Sequence, residues 1–372
     1  VNIQQHAAFM LPLMRKELGC YYVDQAVSCG IPGDMCTLPL TEVGVAVEGE
    51  YPDIGNFWMT TNNPCDANMM DNSAMYRALS NNGQKAVHPL TTPLMYDDPT
   101  TKELGVHEIE SAIDFMEKQF GRKFDWDAFI RHCEATNQVN REEMERWDIY
   151  CKTDNGCLNA ICQGMYRIYF YQQGGTKYFA KSSAKTLKLM YECVEKNIKP
   201  FPNTRHRALA WSCGSTYYCH GVGWLYNCWG ILAVINMDSL TGHNLIDTED
   251  RETMMEDLAD WYSHTPMRTH TVGGNRHIMQ MWETAEKFNC DTIIMYDDIG
   301  CKGMAGAQGL LEEEFAKHRD KFHIIWMPHS LMDCRIVPTN EARRAVNQYM
   351  TDVLHEDPVD PSLVDFDDTL GW

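Results

Sequence analysis

The sequence predicts an α/β fold: two Rossmann-like lobes with parallel sheets, joined by a helical insertion or cap. Three observations lead there. One local design recurs three times, a short β-prone run, a polar turn carrying Cys, then a segment of helical character. Its clearest copy runs from a strand at Thr292 to Tyr296, through a turn at Asp297 to Gly303, to a helix at Gly306 to Asp320. A further strand at His323 to Met327 makes this a βαβ unit, which requires parallel strands. Phe57 to Thr61, the turn ending at Cys65 and a helix from about Ala67 to Leu79 repeat the design. So do Arg207 to Ser212, Cys213 and the aromatic-rich segment that follows.

The second observation is helical periodicity between these stretches. Ile109, Ile113, Met116 and Phe120 fall on one face of a helix over His107 to Phe120, and helical character continues over Trp126 to Tyr150 and Thr186 to Asn197. The third is size: 372 residues are too many for one small core, and 44% hydrophobic residues suffice for two. The expected division is an N-terminal α/β lobe over 1–104, a helical segment over 105–200 and a C-terminal α/β lobe over 201–372. The start, VNIQQHAAF, has no Met and reads like the middle of a folded unit, which leaves open that the first lobe is incomplete.

A formal charge of -20 argues against a nucleic-acid partner, since phosphate neutralisation needs a basic surface. No apolar run is long enough for a membrane span, and the start lacks a signal peptide's layout, so no membrane partner and a cytoplasmic location are expected. In such a chain, fifteen cysteines read as packing residues plus a metal or redox site rather than as a disulfide framework. There is no CxxC pair, so any site is assembled from distant segments.

Ligands of open parallel sheets gather beyond the carboxyl ends of the strands. Cys65, Cys213 and Cys301 fall in turns of that kind, and Cys36 ends Gly33-Asp34-Met35-Cys36 ahead of a helix expected from about Thr37. A helix start also favours the thiolate that ligates iron. Cys20, Cys29, Cys133, Cys151, Cys157, Cys162, Cys193, Cys290 and Cys334 read as small buried hydrophobes, and core packing is also the better reading for Cys219 and Cys228.

At these segments the sequence resembles the 2-hydroxyacyl-CoA dehydratase and benzoyl-CoA reductase family, in its alpha-type iron-sulfur subunit. Gly33-Asp34-Met35-Cys36, Asn62-Asn63-Pro64-Cys65 and Ile299-Gly300-Cys301-Lys302 are similar to the family's three cluster segments. Phe120-Gly121-Arg122-Lys123-Phe124-Asp125 resembles its helix-Gly-x-Lys-Phe-Asp junction, and Met332-Asp333-Cys334-Arg335 its Asp-x-Arg turn, ahead of a C-terminal helix with Arg343 and Arg344. Three departures stand out. Gly300 replaces the usual Ser, Thr91-Thr92-Pro93 replaces Asp-x-Pro in a chain whose Cys213 to Cys228 segment is also richer in Cys, Tyr and Trp than the family's, and the family's opening strand and helix are absent ahead of Cys36.

The resemblance implies one 4Fe-4S cluster per chain, held by Cys36, Cys65 and Cys301. It also implies an oxygen-sensitive lyase that removes water from an (R)-2-hydroxyacyl-CoA through a ketyl radical. Implied partners are a paralogous iron-sulfur subunit, as a heterodimer or larger, and an ATP-dependent iron-sulfur activator. The alternatives are a benzoyl-CoA-reductase-type subunit, an electron-relay subunit, or a double-cubane reductase drawing extra ligands from Cys213, Cys219 or Cys228. Arg205, His206 and Arg207, or the stripe of Lys177, Lys181, Lys185 and Lys188, are candidate cations for the CoA phosphates. His220 and His329 are left unassigned, and the helical segment is a lid or a structural cap.

Overall fold

The computed structural model describes residues 15–51, 57–62, 65–81, 86–91, 98–160, 162–163, 173–214, 218, 221–240, 244–263 and 275–366. Its first part holds helices α1 (Lys16–Ser28) and α2 (Thr37–Val47), then strand β1 (Phe57–Asn62), helix α3 (Asp66–Asn81) and strand β2 (Ala86–Thr91). β1 and β2 pair in parallel, from Phe57 opposite Ala86 to Asn62 opposite Thr91. A helix does precede Cys36, which corrects the reading that the opening helix was missing. Residues 1–14, Asn63, Pro64, Thr92 and Pro93 lie outside the described residues.

Three long helices follow: α4 (Pro99–Phe120), α5 (Trp126–Lys152) and α6 (Lys177–Glu195). α4 starts at Pro99 rather than His107, because Asp98 accepts from the amide of Thr100 at 2.9 Å and Pro99 is pre-set for a first helical turn. The Gly121 to Asp125 junction is a stop followed by a start. Gly121 closes α4 at φ 64°, and Asp125 caps α5 by accepting from Ala128 at 2.9 Å. Glu117 holds the link between them, accepting from Lys123 Nζ at 2.7 Å and from the Phe124 amide at 2.8 Å. α6 begins at Lys177 rather than Thr186 because Thr176 caps it through the Phe179 amide.

The larger sheet is built from β3 (His206–Trp211), β4 (Ile231–Asn236), β5 (Thr292–Asp298) and β6 (His323–His329), all parallel, in the order β4-β3-β5-β6. Its strands are apolar on both faces, the pattern of a sheet covered on both sides. Alternate residues feed separate cores, as a two-residue side-chain period dictates. Leu209, Trp211, Ile293 and Met295 enter one, with Ile149 and Tyr150 of α5 and Leu187 and Met190 of α6. α9 (Asn275–Lys287) and α10 (Lys302–Lys317) complete that layer, with Met281, Phe288 and Phe315. Ala208, Ala210, Ile294 and Ile325 enter the other, against α7 (Gly221–Trp229) and α11 (Thr339–Gln348). α8 (Arg251–Ser263) packs on α4. The carboxyl ends of α5 and α6 thus belong to the sheet's own core, which favours a structural cap over a lid.

From β3 the chain passes outward to β4 and then crosses back to place β5 on the other side of β3. Chain leaving β3 and chain leaving β5 therefore diverge. That divergence opens a crevice beyond the ends of these two strands, the switch point at which such sheets bind ligands.

Candidate site at the strand ends

Trp211 ends β3 and is followed by Ser212, buried at 4% exposure in a left-handed conformation, φ 68°. A non-glycine residue there is strained, and the bend it makes directs Cys213 out of the sheet. Beside it, β5 ends at Asp298, which organises the next turn. Its carbonyl accepts from the Cys301 amide at 2.9 Å and its carboxylate from the Gly300 amide at 3.1 Å. Cys301 is then the N-cap of α10, in extended conformation.

Two more cysteines take the same position on other helices. Cys36 is the N-cap of α2, and Cys65 immediately precedes α3, its Sγ accepting from the Asn68 amide at 3.3 Å. A residue at a helix start faces amides with no partner inside the helix, and these carry the positive end of the helix dipole. Cys36, Cys65 and Cys301 are all half-buried.

The three starts meet. Gly300 lies so close to the first segment that a Cβ on it would stand 2.9 Å from the Met35 carbonyl oxygen and 3.2 Å from the Cys36 Cα. The Cys36 thiol points to the Asp298 carboxylate at 3.8 Å. Lys302, next to Cys301, reaches Asp34 at 3.6 Å and Asp66 at 3.3 Å, so one ammonium joins the residues flanking all three cysteines.

Ionisation of these thiols is opposed in the bare protein. Burial, then the Asp298 carboxylate, pushes the Cys36 thiol well up against the pull of the Leu38 amide, and Cys301 and Cys65 add to the rise. Burial pushes Cys301 up to about 11, opposed by the amides of Met304 and Gly303. Cys65 is raised by burial and by Asp66 and Asp71, opposed by the Asn68 and Ala67 amides. Each thiol thus has helix-start amides that favour a thiolate, set against burial and neighbouring carboxylates. Such a donor set fits a cationic iron-sulfur group. Among the described residues, no three His, Cys, Asp or Glu side chains form a group ready to hold a metal ion. Cluster ligands bind different irons, so their sulfurs stand further apart than those round one ion.

Two further layers fix the site. Thr37, 1% exposed, accepts from the Met332 amide at 2.8 Å and shares a 3.2 Å hydrogen bond with Ser330, tying α2 to the loop after β6. Leu331 and Met332 of that loop pack on Cys36 and Cys213. Behind α2, Tyr51 donates to Glu42 at 2.6 Å, and Glu42 shares a proton with Asp71, whose carboxyl burial and the Glu42 charge hold well above the usual range. A carboxyl raised on folding keeps a proton that the unfolded chain releases, so stability falls as pH rises from the carboxylate range toward the raised value. Asp71→Asn is expected to flatten that fall in urea unfolding followed above about pH 4; an undiminished slope would place the proton elsewhere.

The sequence-derived candidates divide clearly. Cys213 borders the site, packed against Leu331 and Met332. Cys228 is wholly buried in the opposite core with its thiol toward the Asp360 carbonyl, so it is packing, as expected, and not a ligand near Cys301. Cys219 and His220 lie outside the described residues. Cys29 and Cys162 are exposed rather than packed. His329 ends β6, 2% exposed, edge-on to Tyr296, and burial holds it neutral despite the nearby Asp298.

The cations considered for CoA are engaged elsewhere. Arg207 pairs with Asp154 at 2.9 Å, Arg205 donates to the Asp357 carbonyl, and His206 lies between Asp291 and Glu356. All three precede or begin β3, at the sheet edge opposite the cysteines. Lys177, Lys181, Lys185 and Lys188 are exposed on α6. A cavity of about 600 Å³ opens instead at the Gly121 junction, edged by Arg122, Lys123 and His132 over Phe120, Phe124 and Phe129.

Fold and site together define a doubly wound α/β protein that gathers thiols at its strand ends. The family model for 2-hydroxyglutaryl-CoA dehydratase, D-component, matches residues 5–328, and the chain belongs to that family. It is thus a dehydratase component, and the designation as one component implies a partner. No curated protein matches the chain. Among the described residues, no helix is long and apolar enough to cross a membrane.

Proposed function

We propose that this chain is the subunit of a 2-hydroxyacyl-CoA dehydratase that holds one 4Fe-4S cluster through Cys36, Cys65 and Cys301. Its partners in this reading are a paralogous iron-sulfur subunit and an ATP-dependent iron-sulfur activator, and its lobes divide near residues 104 and 200. The observation that carries the reading is the meeting of three cysteine-led helix starts, bridged by Lys302. Held by Cys36, Cys65 and Cys301, such a cluster would supply a Lewis-acidic iron and the single electron that a ketyl-radical loss of the 2-hydroxyl requires.

The chain's own residues prepare the site for that chemistry. Amides at the starts of α2, α3 and α10 favour the thiolate form of the three cysteines. Asp298 holds the Cys301 turn, and Lys302 offsets the Asp34 and Asp66 carboxylates. Leu331 and Met332 exclude water from one side of Cys36.

Anaerobic reconstitution with iron and sulfide tests the reading. About four irons per chain are expected, the content of one cubane, with dehydration of a 2-hydroxyacyl-CoA once partner and activator are added. A chain that binds no iron would sink it. Clearly higher iron content would favour the double-cubane alternative, against which the core position of Cys228 already counts.

A further inference from the structure

Away from these three cysteines, α1 and the loop after β6 bring two other thiols together. Cys20 on α1 and Cys334 lie 314 residues apart in sequence, yet their sulfurs are 3.6 Å apart. Cys20 is buried at 7% exposure and also donates to the Asp333 carboxylate at 3.2 Å. Arg335 fixes this corner, donating to Asp333 at 2.7 Å and to both carboxylate oxygens of Asp24 at 2.8 Å. Cys334 is more open and lines a cavity of about 490 Å³. Lys16, Arg343 and Arg344 line it too, with the carboxylate of Asp365, and Arg344 also pairs with Glu341 at 2.8 Å.

The two thiols are unequal. Cys334 ionises first, pulled down to about 7 by the hydrogen bond from Cys20 and by Lys16, against its partial burial and the carboxylates of Asp333 and Glu17. Cys20 is pushed up by Cys334, by burial and by Asp333. One thiol is therefore an accessible nucleophile at neutral pH and the other a protonated, buried neighbour within reach.

We propose that Cys334 and Cys20 form a redox-active dithiol, in which Cys334 attacks an anionic low-molecular-weight disulfide held in the basic cavity and Cys20 resolves the product. In the first step the Cys334 thiolate bonds to one sulfur of the small disulfide, whose S–S bond breaks and releases one thiolate. In the second, Cys20 loses its proton to solvent and bonds to the Cys334 sulfur, and the second small thiolate leaves. Two protein thiols are oxidised by two electrons, and one small disulfide is reduced to two thiols. The resulting bond would fasten α1 to the loop that presses Leu331 and Met332 on Cys36.

The test treats the full chain anaerobically with oxidised glutathione, blocks the remaining thiols and maps the products by mass spectrometry. A Cys20–Cys334 cross-linked peptide is expected in the unaltered protein. In Cys20→Ser, and in Cys20→Ala as a second variant, Cys334 should retain glutathione; in Cys334→Ser, Cys20 should stay unmodified. The rate should rise with pH through about 7, and oxidised glutathione should outpace the cationic disulfide cystamine by about tenfold. Unmodified Cys334 in the Cys20 variants, or modification of Cys20 without Cys334, would overturn the dithiol. Cystamine reacting as fast would overturn the anionic specificity. None of these readouts depends on bound iron, so the outcome is separate from that of the proposed function.

Discussion

Cys301→Ala is expected to leave the reconstituted chain nearly free of iron and to lower dehydratase turnover by more than about 100-fold, the loss that changes one shell further out can reach. Cys36→Ala and Cys65→Ala should do the same, because in the proposed ligand set each supplies a sulfur from a different helix start. Cys301 caps α10, so its loss removes the proposed ligand nearest the β5 switch point. The amides of Met304 and Gly303 face the Cys301 thiol, and losing that capping interaction costs about 1 kcal/mol, small beside the loss of iron. Secondary structure by circular dichroism should therefore be unchanged. Cys228→Ala should retain its iron, and Cys213→Ala should retain it while altering turnover. Full iron retention in Cys301→Ala would remove that residue from the proposed ligand set.

Gly300→Ala is expected to lower stability by about 1–3 kcal/mol, the usual cost of forcing extra volume into a packed site. Here the obstacle is backbone: the Met35 carbonyl oxygen at 2.9 Å and the Cys36 Cα at 3.2 Å cannot swing aside like the end of a long side chain. The strain falls between two proposed ligands, so iron retention should fall together with the denaturation midpoint. Gly309→Ala, in the helix that follows this turn, is the control. A Cβ there meets open space, and removing a glycine from a helix interior is expected to stabilise by about 1 kcal/mol. If the two variants behaved alike, the close approach would carry no energetic weight.

The same glycine bears on how far the site could be read from sequence. Its departure from the family's usual serine is visible in the sequence, but the reason is the nearness of residue 35, which only the fold reveals. The three strand-turn-helix units were legible because each couples an apolar run to a Cys-bearing turn. β4 was not, since Ile231–Asn236 has no such turn and an apolar run of five fits strand or helix alike. Apolar spacing alone places the starts of α4 and α6 too late, because their first turns are fixed by the caps at Asp98-Pro99 and Thr176 rather than by apolar residues.

The misplacement of the CoA cations could have been avoided. In a parallel sheet, residues before a strand lie at the edge opposite those after it. Arg205 to Arg207 could therefore never face Cys213. The bridge through Lys302 also left a trace, an opposite charge within two residues of each cysteine: Asp34, Asp66 and Lys302. The contact between Cys20 and Cys334 left none, because nothing local at either position encodes a partner so distant along the chain.

The helix starts that meet at Lys302 also set an order of events during synthesis. Cys36 and Cys65 leave the ribosome well before Cys301 and the strand that fixes its turn, Cys301 lying 236 residues after Cys65. Until then the first two thiols have neither the Gly300 loop nor the lysine against them. If these three cysteines are the ligands proposed above, a nascent chain presents only two of them until Cys301 has emerged, and iron and sulfide delivered before then would meet an incomplete set.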